Sequence, residues 1–103
     1  MGFTLIISFA DEGTEDIYNG VNSKHARSKL DRTLWRKAYL KLTMLRKASR
    51  LDDLKYPSSN HLEKLEDDLA GKYSIRINKQ YRVVFGWDKG SGGAFEVIIM
   101  DYH

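Results

Sequence analysis

The chain contains no cysteine and only one proline, Pro57, among its 103 residues. Without cysteine there is no disulfide framework, no thiolate nucleophile and no cysteine-ligated metal site. Long apolar runs are also missing, since the two richest, 3–10 and 94–100, fall far short of the roughly 20 residues of a membrane-spanning helix. The first residues lack the basic stretch, apolar core and cleavage site of an export signal. We therefore expect a cytoplasmic protein without a membrane anchor.

Length and composition indicate one folded domain. The hydrophobic fraction of 42% and the aromatic fraction of 12% are typical of globular proteins and exclude the disordered class. A chain of 103 residues has room for one hydrophobic core and no more. We therefore expect residues 1–103 to form a single domain.

Positive charge is concentrated in one segment. Residues 24–50 carry ten lysines and arginines against a single acid, Asp31, although the net charge of the whole chain is only +3. This asymmetry points to a polyanionic partner, either nucleic acid or an acidic protein surface. It is equally typical of a helix with a solvated basic face. Charge alone does not distinguish these interpretations.

The first half of the chain predicts a strand and two helices. Residues 3–9 are rich in β-branched and aromatic side chains, as in a short strand. Asp11 or Thr14 can cap a short helix that ends at Gly20. A long amphipathic helix follows. Its apolar stripe, which we assign to the core, consists of Leu30, Leu34, Ala38, Leu42 and Leu45, widened by Trp35 and Tyr39.

The second half changes to the period of two that is typical of strands. Residues 73–77 and 81–87 alternate in polarity around a turn at 78–80. The glycines of 88–93 predict a hairpin loop. Residues 95–100 are apolar on both faces, which predicts a strand at the centre of the sheet. The whole layout is α+β, with helices on one face of a mainly antiparallel sheet.

One segment is ambiguous by its pattern. Leu62, Leu65 and Leu69 follow Asn60 at helical spacing, and this periodicity favours a helix.

No nucleotide-binding or metal-binding motif is present, and the three histidines are scattered along the sequence. We therefore expect no metal and no cofactor. The remaining candidates for chemistry are polar groups of the strand-rich half, namely His61, Glu63, Lys64, Arg76, Arg82, Asp101, Tyr102 and His103.

These residue types suit RNA cleavage without a metal ion. That reaction needs a base for the ribose 2′-hydroxyl, cations for the phosphorane charge and an acid for the leaving 5′-oxygen. Arg76 and Arg82 fall on adjacent antiparallel strands, where cross-strand neighbours can share one face. Each candidate also has a structural interpretation. The arginines suit a solvent-facing surface, His61 suits an exposed loop, Tyr102 can cover the edge of the core, and His103 can be a frayed end or a tag residue.

Short motifs run through the whole chain in a fixed order. They are Thr14-Glu-Asp-Ile-Tyr-Asn-Gly20, Pro57-Ser-Ser-Asn-His-Leu-Glu-Lys-Leu65, Gly71-Lys-Tyr-Ser-Ile-Arg-Ile-Asn78, Gln80-Tyr-Arg-Val-Val-Phe85 and Asp101-Tyr-His103. In this order they resemble the HigB-type toxins of the RelE/ParE toxin–antitoxin superfamily. Because the last motif matches the tail of the family, the resemblance argues against a tag origin of His103.

The resemblance implies a RelE-like fold, in which an N-terminal strand and helices pack on one face of a twisted antiparallel sheet. It also makes residues 62–65 a strand, against their helical spacing. It implies a ribosome-dependent endoribonuclease that cuts mRNA on the 70S ribosome without a metal ion and leaves a cyclic phosphate. It further implies neutralisation by a HigA-type helix-turn-helix antitoxin, with operator DNA bound only through that partner.

Site residues follow from the same resemblance. Asp101, Tyr102 and His103 match the family's catalytic tail, and Arg82 matches an arginine that stabilises the scissile phosphate. The second acid or base is Glu63 or His61, which remain alternatives. RNA-binding roles are expected for Arg76, Lys64, Lys72, Arg36 and Lys37.

The sequence departs from many relatives between residues 66 and 69. Glu66 and Asp67 replace what is often a basic residue and a glycine, and Leu69 replaces an arginine. Added negative charge weakens phosphate attraction, so we expect milder toxicity than in close relatives. Two other functions remain open: a gyrase-directed member of the superfamily, and a non-catalytic binding module.

Overall fold

The structure of residues 5–102, a computed structural model, has its three α-helices ahead of its four β-strands. The helices are α1 (Glu12–Asn19), α2 (Lys24–Lys29) and α3 (Trp35–Lys47). The strands are β1 (Glu63–Lys64), β2 (Tyr73–Arg76), β3 (Tyr81–Asp88) and β4 (Gly93–Asp101). Short 3₁₀ turns lie at Arg32–Leu34, Leu51–Lys55, Ser58–Asn60 and Asp67–Leu69. None of the helices in this range is both long and apolar enough to cross a bilayer.

An antiparallel sheet contains the four described strands in the order β1-β2-β3-β4. In its register, Glu63 of β1 is opposite Ser74 of β2, and Arg76 of β2 is opposite Arg82 of β3. Facing residues of an antiparallel pair project to the same side of the sheet. The predicted alternation along β2 and β3 is confirmed, and it brings these four polar side chains to a single face.

The prediction that residues 95–100 form the central strand is wrong. β3 is flanked on both sides, by β2 and β4, whereas β4 stands at the end of the strand order. The segment before α1 covers the outer edge of β4 through parallel bridges from Ile6 to Ala94 and from Phe9 to Val97. This segment gives the outer edge of β4 backbone partners without a further regular strand.

Of the opening strand predicted over residues 3–9, the described part, 5–9, forms isolated bridges and no regular strand. Residues 3 and 4 lie outside the described part of the chain. The amide of Ile7 donates to the carbonyl of Ala94 at 2.7 Å, and the amide of Ala10 donates to the carbonyl of Val97 at 2.9 Å. The segment therefore lies along β4 without the continuous ladder of a regular strand.

Helix α1 begins and ends as its sequence predicts. The carboxylate of Asp11 accepts a hydrogen bond from the amide of Thr14 at 2.8 Å and caps the first turn. Gly20 closes the helix with a φ of 74°, in the left-handed region that glycine tolerates. The hydroxyl of Thr14 is not a cap; it accepts from the amide of Ile99 at 3.0 Å and joins α1 to β4.

The long helix predicted from residue 30 onward is interrupted at its start. Leu30 has an extended backbone, with φ −156° and ψ 141°, and ends α2. The carboxylate of Asp31 then accepts bonds from the amide of Thr33 at 2.9 Å and from its hydroxyl at 2.7 Å. Aspartate bonds of this kind compete with helical hydrogen bonding, and α3 begins only at Trp35. Most of the predicted apolar stripe is nevertheless buried.

The ambiguous segment around Leu62 contains a strand and a turn, and no α-helix lies between Ser58 and Ala70. Glu63 and Lys64 form β1, as the family resemblance implies, and a 3₁₀ turn follows. The helical spacing of the leucines is misleading here because a short strand followed by a turn buries Leu65 without a helix.

The core lies between the helices and one face of the sheet. Its buried residues include Leu42 and Leu45 from α3, and Ile75, Val83 and Ile99 from the strands. Because neighbours along a strand point to opposite faces, the polar side chains of β2 and β3 project from the other face. The predicted RelE-like arrangement, with helices packed on one face of the sheet, is confirmed.

Candidate active site

Arg82 is the centre of a polar cluster on the face opposite the helices. The residue is nearly buried, with 7% of its surface exposed. Its Nη2 donates to Oε1 of Glu63 at 2.7 Å, and its Nη1 donates to Oγ of Ser74 at 2.9 Å and to the carbonyl oxygen of His61 at 3.2 Å. The ring centroid of Tyr102 lies 5.5 Å from Cζ. Together these contacts fix the orientation of the guanidinium group.

The turn between β2 and β3 sets the position of Arg82. The side-chain oxygen of Asn78 accepts from the amide of Gln80 at 2.9 Å and from the amide of Tyr81 at 2.8 Å. An asparagine that bonds to the backbone in this way closes a tight turn. β3 therefore starts directly after the turn, and Arg82 falls opposite Arg76.

The end of β4 brings Tyr102 to the cluster. The amide of Tyr102 donates to the carbonyl of Gln80 at 2.7 Å and holds the tail against the start of β3. The aromatic ring then lies against the guanidinium of Arg82 in a cation–π geometry. His103 lies outside the described residues. Its catalytic role therefore stays a prediction.

Asp101 projects away from the cluster. It alternates with Tyr102 along the chain, and neighbouring strand residues point to opposite faces. Its Oδ2 accepts from Nε2 of Gln80 at 3.0 Å, and its backbone pairs with Tyr81. The structure therefore connects Asp101 to the start of β3, where it helps to hold the tail.

His61 and Glu63 contribute different groups to the site. Glu63 contacts Arg82 through its carboxylate, whereas His61 contacts it through its backbone carbonyl. His61 adopts the left-handed conformation, with φ 45° and ψ 55°, and its amide donates to Ser58. His61 also lines a neighbouring cavity. Of these two residues, Glu63 is therefore the one whose side chain hydrogen-bonds to Arg82.

A basic cavity of about 310 Å³ adjoins the cluster on the side of α3. It lies where the C-terminal end of β2 meets the middle of α3 and the loop before β1. Its lining consists of Lys37, Lys41, Ser59, His61, Arg76, Ile77, Asn78 and Lys79. The structure thus brings two predicted RNA-binding residues, Lys37 and Arg76, into one recess beside Arg82.

The other predicted RNA-binding residues lie elsewhere. Lys72, at the opposite end of β2, forms an ion pair with Glu96, and its Nζ lies 5.5 Å from the ring centroid of Phe95. Lys64 follows Glu63 in β1 and therefore points to the other face of the sheet. Arg36 is exposed on α3 and does not line the basic cavity.

Sequence reasoning does not identify three polar residues of this region. Ser74 precedes Arg76 by two residues, so the strand alternation could have shown that both share a face. Lys41 follows Lys37 by one helical turn, which is a usable signal. Asn60 is fully buried beside the cavity, and its sequence context suggests no more than a loop or a helix cap.

Comparison of the sequence with known proteins identifies relatives over most of the chain. A family model described as "RelE-like toxin of type II toxin-antitoxin system HigB" matches residues 7–103. Toxin HigB-1 of Vibrio cholerae serotype O1 is 36% identical over 88 residues, which cover 84% of this chain and 87% of the relative.

Solved structures with a similar fold are also toxins. A YoeB–YefM complex from Staphylococcus aureus aligns with a TM-score of 0.58 and 18% identity, covering 95% of this chain and 97% of that chain. A heterotetrameric YoeB–YefM toxin–antitoxin complex from the same organism aligns with a TM-score of 0.54, 20% identity and the same coverage. At this identity the structural match shows the fold alone. The sequence match decides the family, and the chain belongs to the HigB-like toxins, RelE-like toxins of type II toxin–antitoxin systems.

Proposed function

We propose that this toxin is a ribosome-dependent endoribonuclease that cuts mRNA on the 70S ribosome by attack of the ribose 2′-hydroxyl, without a metal ion. The observation that supports the proposal most directly is the buried, fixed guanidinium of Arg82. A cation held in place before the reaction is what a developing phosphorane charge requires. Its contacts with Glu63 and Tyr102 add a proton acceptor and an aromatic surface beside it.

Arg82 binds the scissile phosphate in this proposal. A guanidinium presents a planar fork of donors that matches two phosphate oxygens. In the free protein those donors are directed at Glu63, Ser74 and the His61 carbonyl. The phosphate therefore exchanges with some of these partners as it enters. Arg76, directly across the strand pair, supplies a second positive charge.

Glu63 accepts the proton of the 2′-hydroxyl. Its Oε1 lies 2.7 Å from Nη2 of Arg82, beside the group that binds the phosphate in this proposal, and a carboxylate in this position can act as a general base. We assign this role to Glu63 instead of His61, because Glu63 presents its side chain to Arg82 while His61 presents its carbonyl.

The tail completes the reaction. Tyr102 stacks on a nucleobase, since aromatic rings bind unstacked bases in single-stranded RNA. His103 donates a proton to the leaving 5′-oxygen, a role that suits imidazole near neutral pH. Asp101 orients the tail through its bond to Gln80.

Partners follow from the family and from the charge distribution. The structural neighbours are toxins in complex with an antitoxin, and we propose a HigA-type helix-turn-helix antitoxin for this chain. Operator DNA is bound only through that antitoxin. Arg36, Lys37 and other basic residues of 24–50 dock on ribosomal RNA, with Lys64 and Lys72 as further RNA contacts. A ribosomal target places the protein in the cytoplasm.

Cleavage on translating ribosomes tests the function. Purified toxin is added to a defined mRNA with and without active ribosomes, and the new ends are mapped by primer extension. We expect cuts only when ribosomes are present, with a cyclic phosphate on the 5′ fragment. Deletion of Tyr102 and His103 should abolish the cuts. Lys89→Gln, an exposed change in the β3–β4 loop, is the matched control.

Three results would contradict the proposal. The first is uncut mRNA at toxin concentrations that stop growth. The second is full cleavage by the deletion variant, which would remove the tail from the site. The third is loss of DNA supercoiling activity while translation continues, which would favour the gyrase-directed function.

A further inference from the structure

The basic cavity beside Arg82 contains a lysine in an unusual position. Lys41 is nearly buried, with only 7% of its surface exposed, although lysine almost never is. Its Nζ donates to Oδ1 of Asn60 at 2.5 Å. The amide nitrogen of Asn60 in turn donates to the carbonyls of Leu54 at 3.2 Å and Tyr56 at 3.3 Å. These bonds orient the side chain of Asn60 so that Oδ1 faces the ammonium group of Lys41.

Among residues 5–102, no carboxylate forms an ion pair with this lysine. Two other half-buried lysines of the described chain are neutralised, Lys29 by Asp11 and Lys72 by Glu96. Lys41 has a neutral amide oxygen in their place, which satisfies one of its three N–H groups. An ammonium held out of water without an opposite charge destabilises the folded state.

Other cations line the same cavity and add to its positive charge. Lys37, Arg76 and Lys79 line the same cavity, and none of the lining residues is acidic. Within residues 5–102, no ion pair involves any of these three or Lys41. Burial lowers the pKa of Lys41 below its ordinary value, and the charge of Lys37 lowers it further. The cavity therefore concentrates positive charge that no ion pair among residues 5–102 compensates.

An anion of modest size would compensate this charge. Lysine and arginine side chains, together with the hydroxyl of Ser59 and the amide of Asn78, are donors that suit phosphate oxygens. A volume of about 310 Å³ accommodates one phosphate group with its water. The cavity also joins the proposed cleavage site, because Arg76 lies opposite Arg82 and the His61 carbonyl contacts Arg82.

We infer that this cavity is a second phosphate-binding site, which holds a backbone phosphate of the RNA strand next to the one that Arg82 binds. The inference rests on the proposed ribonuclease function for the identity of the strand. Lys41 is the buried cation of this site, Asn60 positions it, and Lys37 and Lys79 are exposed cations at its rim. Binding of this neighbouring phosphate in the cavity positions the scissile phosphate beside Arg82 and Glu63.

Two binding experiments test the site on the purified full chain. In the first, inorganic phosphate is titrated into ¹⁵N-labelled toxin, and we expect amide shifts at residues 59–61 and 76–79. In the second, a fluorescent 2′-O-methyl RNA hexamer, which cannot be cut, is titrated at several salt concentrations. Losing one phosphate contact should lower the salt slope by about 0.7 and weaken binding roughly fivefold at about 0.1 M salt.

The variants separate the site from its surroundings. Lys41→Met removes the buried charge, and Lys79→Gln removes an exposed one, so the second variant keeps the test valid even when the first is poorly folded. Lys89→Gln, with the same charge loss in the β3–β4 loop, is the control and should bind like the unchanged chain. Loss of the phosphate shifts together with weaker RNA binding in both cavity variants supports the site.

Other outcomes overturn the inference. If Lys41→Met and Lys79→Gln bind RNA with an unchanged salt slope, the second phosphate site is refuted. Phosphate shifts without any effect on RNA mean that the cavity holds another anion, and the RNA assignment fails. Failure of the ribonuclease proposal is distinguishable from failure of the phosphate site, because the unchanged chain would then cut no mRNA on ribosomes.

Discussion

At the scale of single residues, the contacts of Arg82 make its shape as important as its charge. Arg82→Lys keeps the charge, but one ammonium group cannot reach Glu63, Ser74 and the His61 carbonyl together. We expect cleavage on ribosomes to fall by about a hundredfold or more, since a fixed donor to the transition state is lost. Lys89→Arg, the reverse exchange at an exposed residue of the β3–β4 loop, is the matched control. Equal single-turnover rates for the two variants would refute the role of the guanidinium.

Two glutamine substitutions distinguish the two candidate bases. Glu63→Gln removes the carboxylate that contacts Arg82 and should lower single-turnover cleavage by about 10²–10⁴-fold, the usual contribution of a general base. His61→Gln retains the backbone carbonyl and should change the rate far less. The reverse order of effects would assign the role of general base to His61. Thermal unfolding of both variants serves as the control for loss of structure.

Part of this candidate site could be predicted from the sequence. The rest could not, for a physical reason. Strand alternation and the family resemblance indicated Arg76, Arg82, Glu63 and the tail. The Lys41–Asn60 contact was not predictable, because it joins a helix to a loop through tertiary packing alone. Residues brought together only by the fold leave no periodic signal in the sequence.

At the scale of elements, the N-terminal cap of α1 makes a measurable contribution. Asp11 accepts the amide of Thr14 and forms an ion pair with Lys29 at 2.5 Å. Asp11→Ala should lower the free energy of unfolding by about 1 kcal/mol at pH 7, the typical value of such a cap. Urea denaturation measures this, and Glu15→Ala on the exposed side of α1 is the control.

The same cap predicts a pH dependence. Burial raises the pKa of Asp11, but bonds from Lys29 and Thr14 outweigh it and hold the pKa below its ordinary value. A carboxyl group with a lowered pKa stabilises the fold above its unfolded pKa and loses that contribution as the pH falls through its folded one. The difference between the native chain and Asp11→Ala should therefore shrink below about pH 4. A difference that stays constant down to pH 2.5 would contradict this.

The turn after β1 carries backbone strain. Asp67 has a φ of 55°, in the left-handed region that favours glycine. Left-handed backbone costs a non-glycine residue about 1 kcal/mol or more. Asp67→Gly should therefore raise the unfolding free energy by up to about 1 kcal/mol. Asp68→Gly, at a residue without positive φ, should lower it, and stabilisation by both would contradict the strain.

The elements were predictable where local signals agree with the fold. α1 and the β2–β3–β4 meander follow from caps, turns and alternation. The break at Asp31 did not follow, because one side chain competes with an otherwise good helical pattern. The two-residue strand β1 did not follow from periodicity either, because its pairing with β2 decides it.

At the scale of the whole molecule, the location of Glu66 limits its effect on RNA. Glu66 follows the end of β1 nearer to Lys72, at the opposite end of β2 from Arg76, so solvent screening weakens its influence on Arg82. Glu66→Lys should still deepen growth arrest modestly at equal expression, because a repulsive charge becomes attractive. Colony counts after matched induction measure this. Identical arrest would contradict the expectation of milder toxicity.

The way in which the sheet is closed at its borders affects the behaviour of the free toxin. An unpaired strand edge is a template for association with other chains. Here the outer edge of β4 is covered by the segment of Ile6 to Phe9, and the opposite border is the two-residue β1, with exposed Glu63 and Lys64. In the described chain, neither border offers a long bare edge for intermolecular pairing. A toxin built in this way can remain dispersed at high concentration while it has no partner, so that its action depends on meeting its target and not on escaping aggregation.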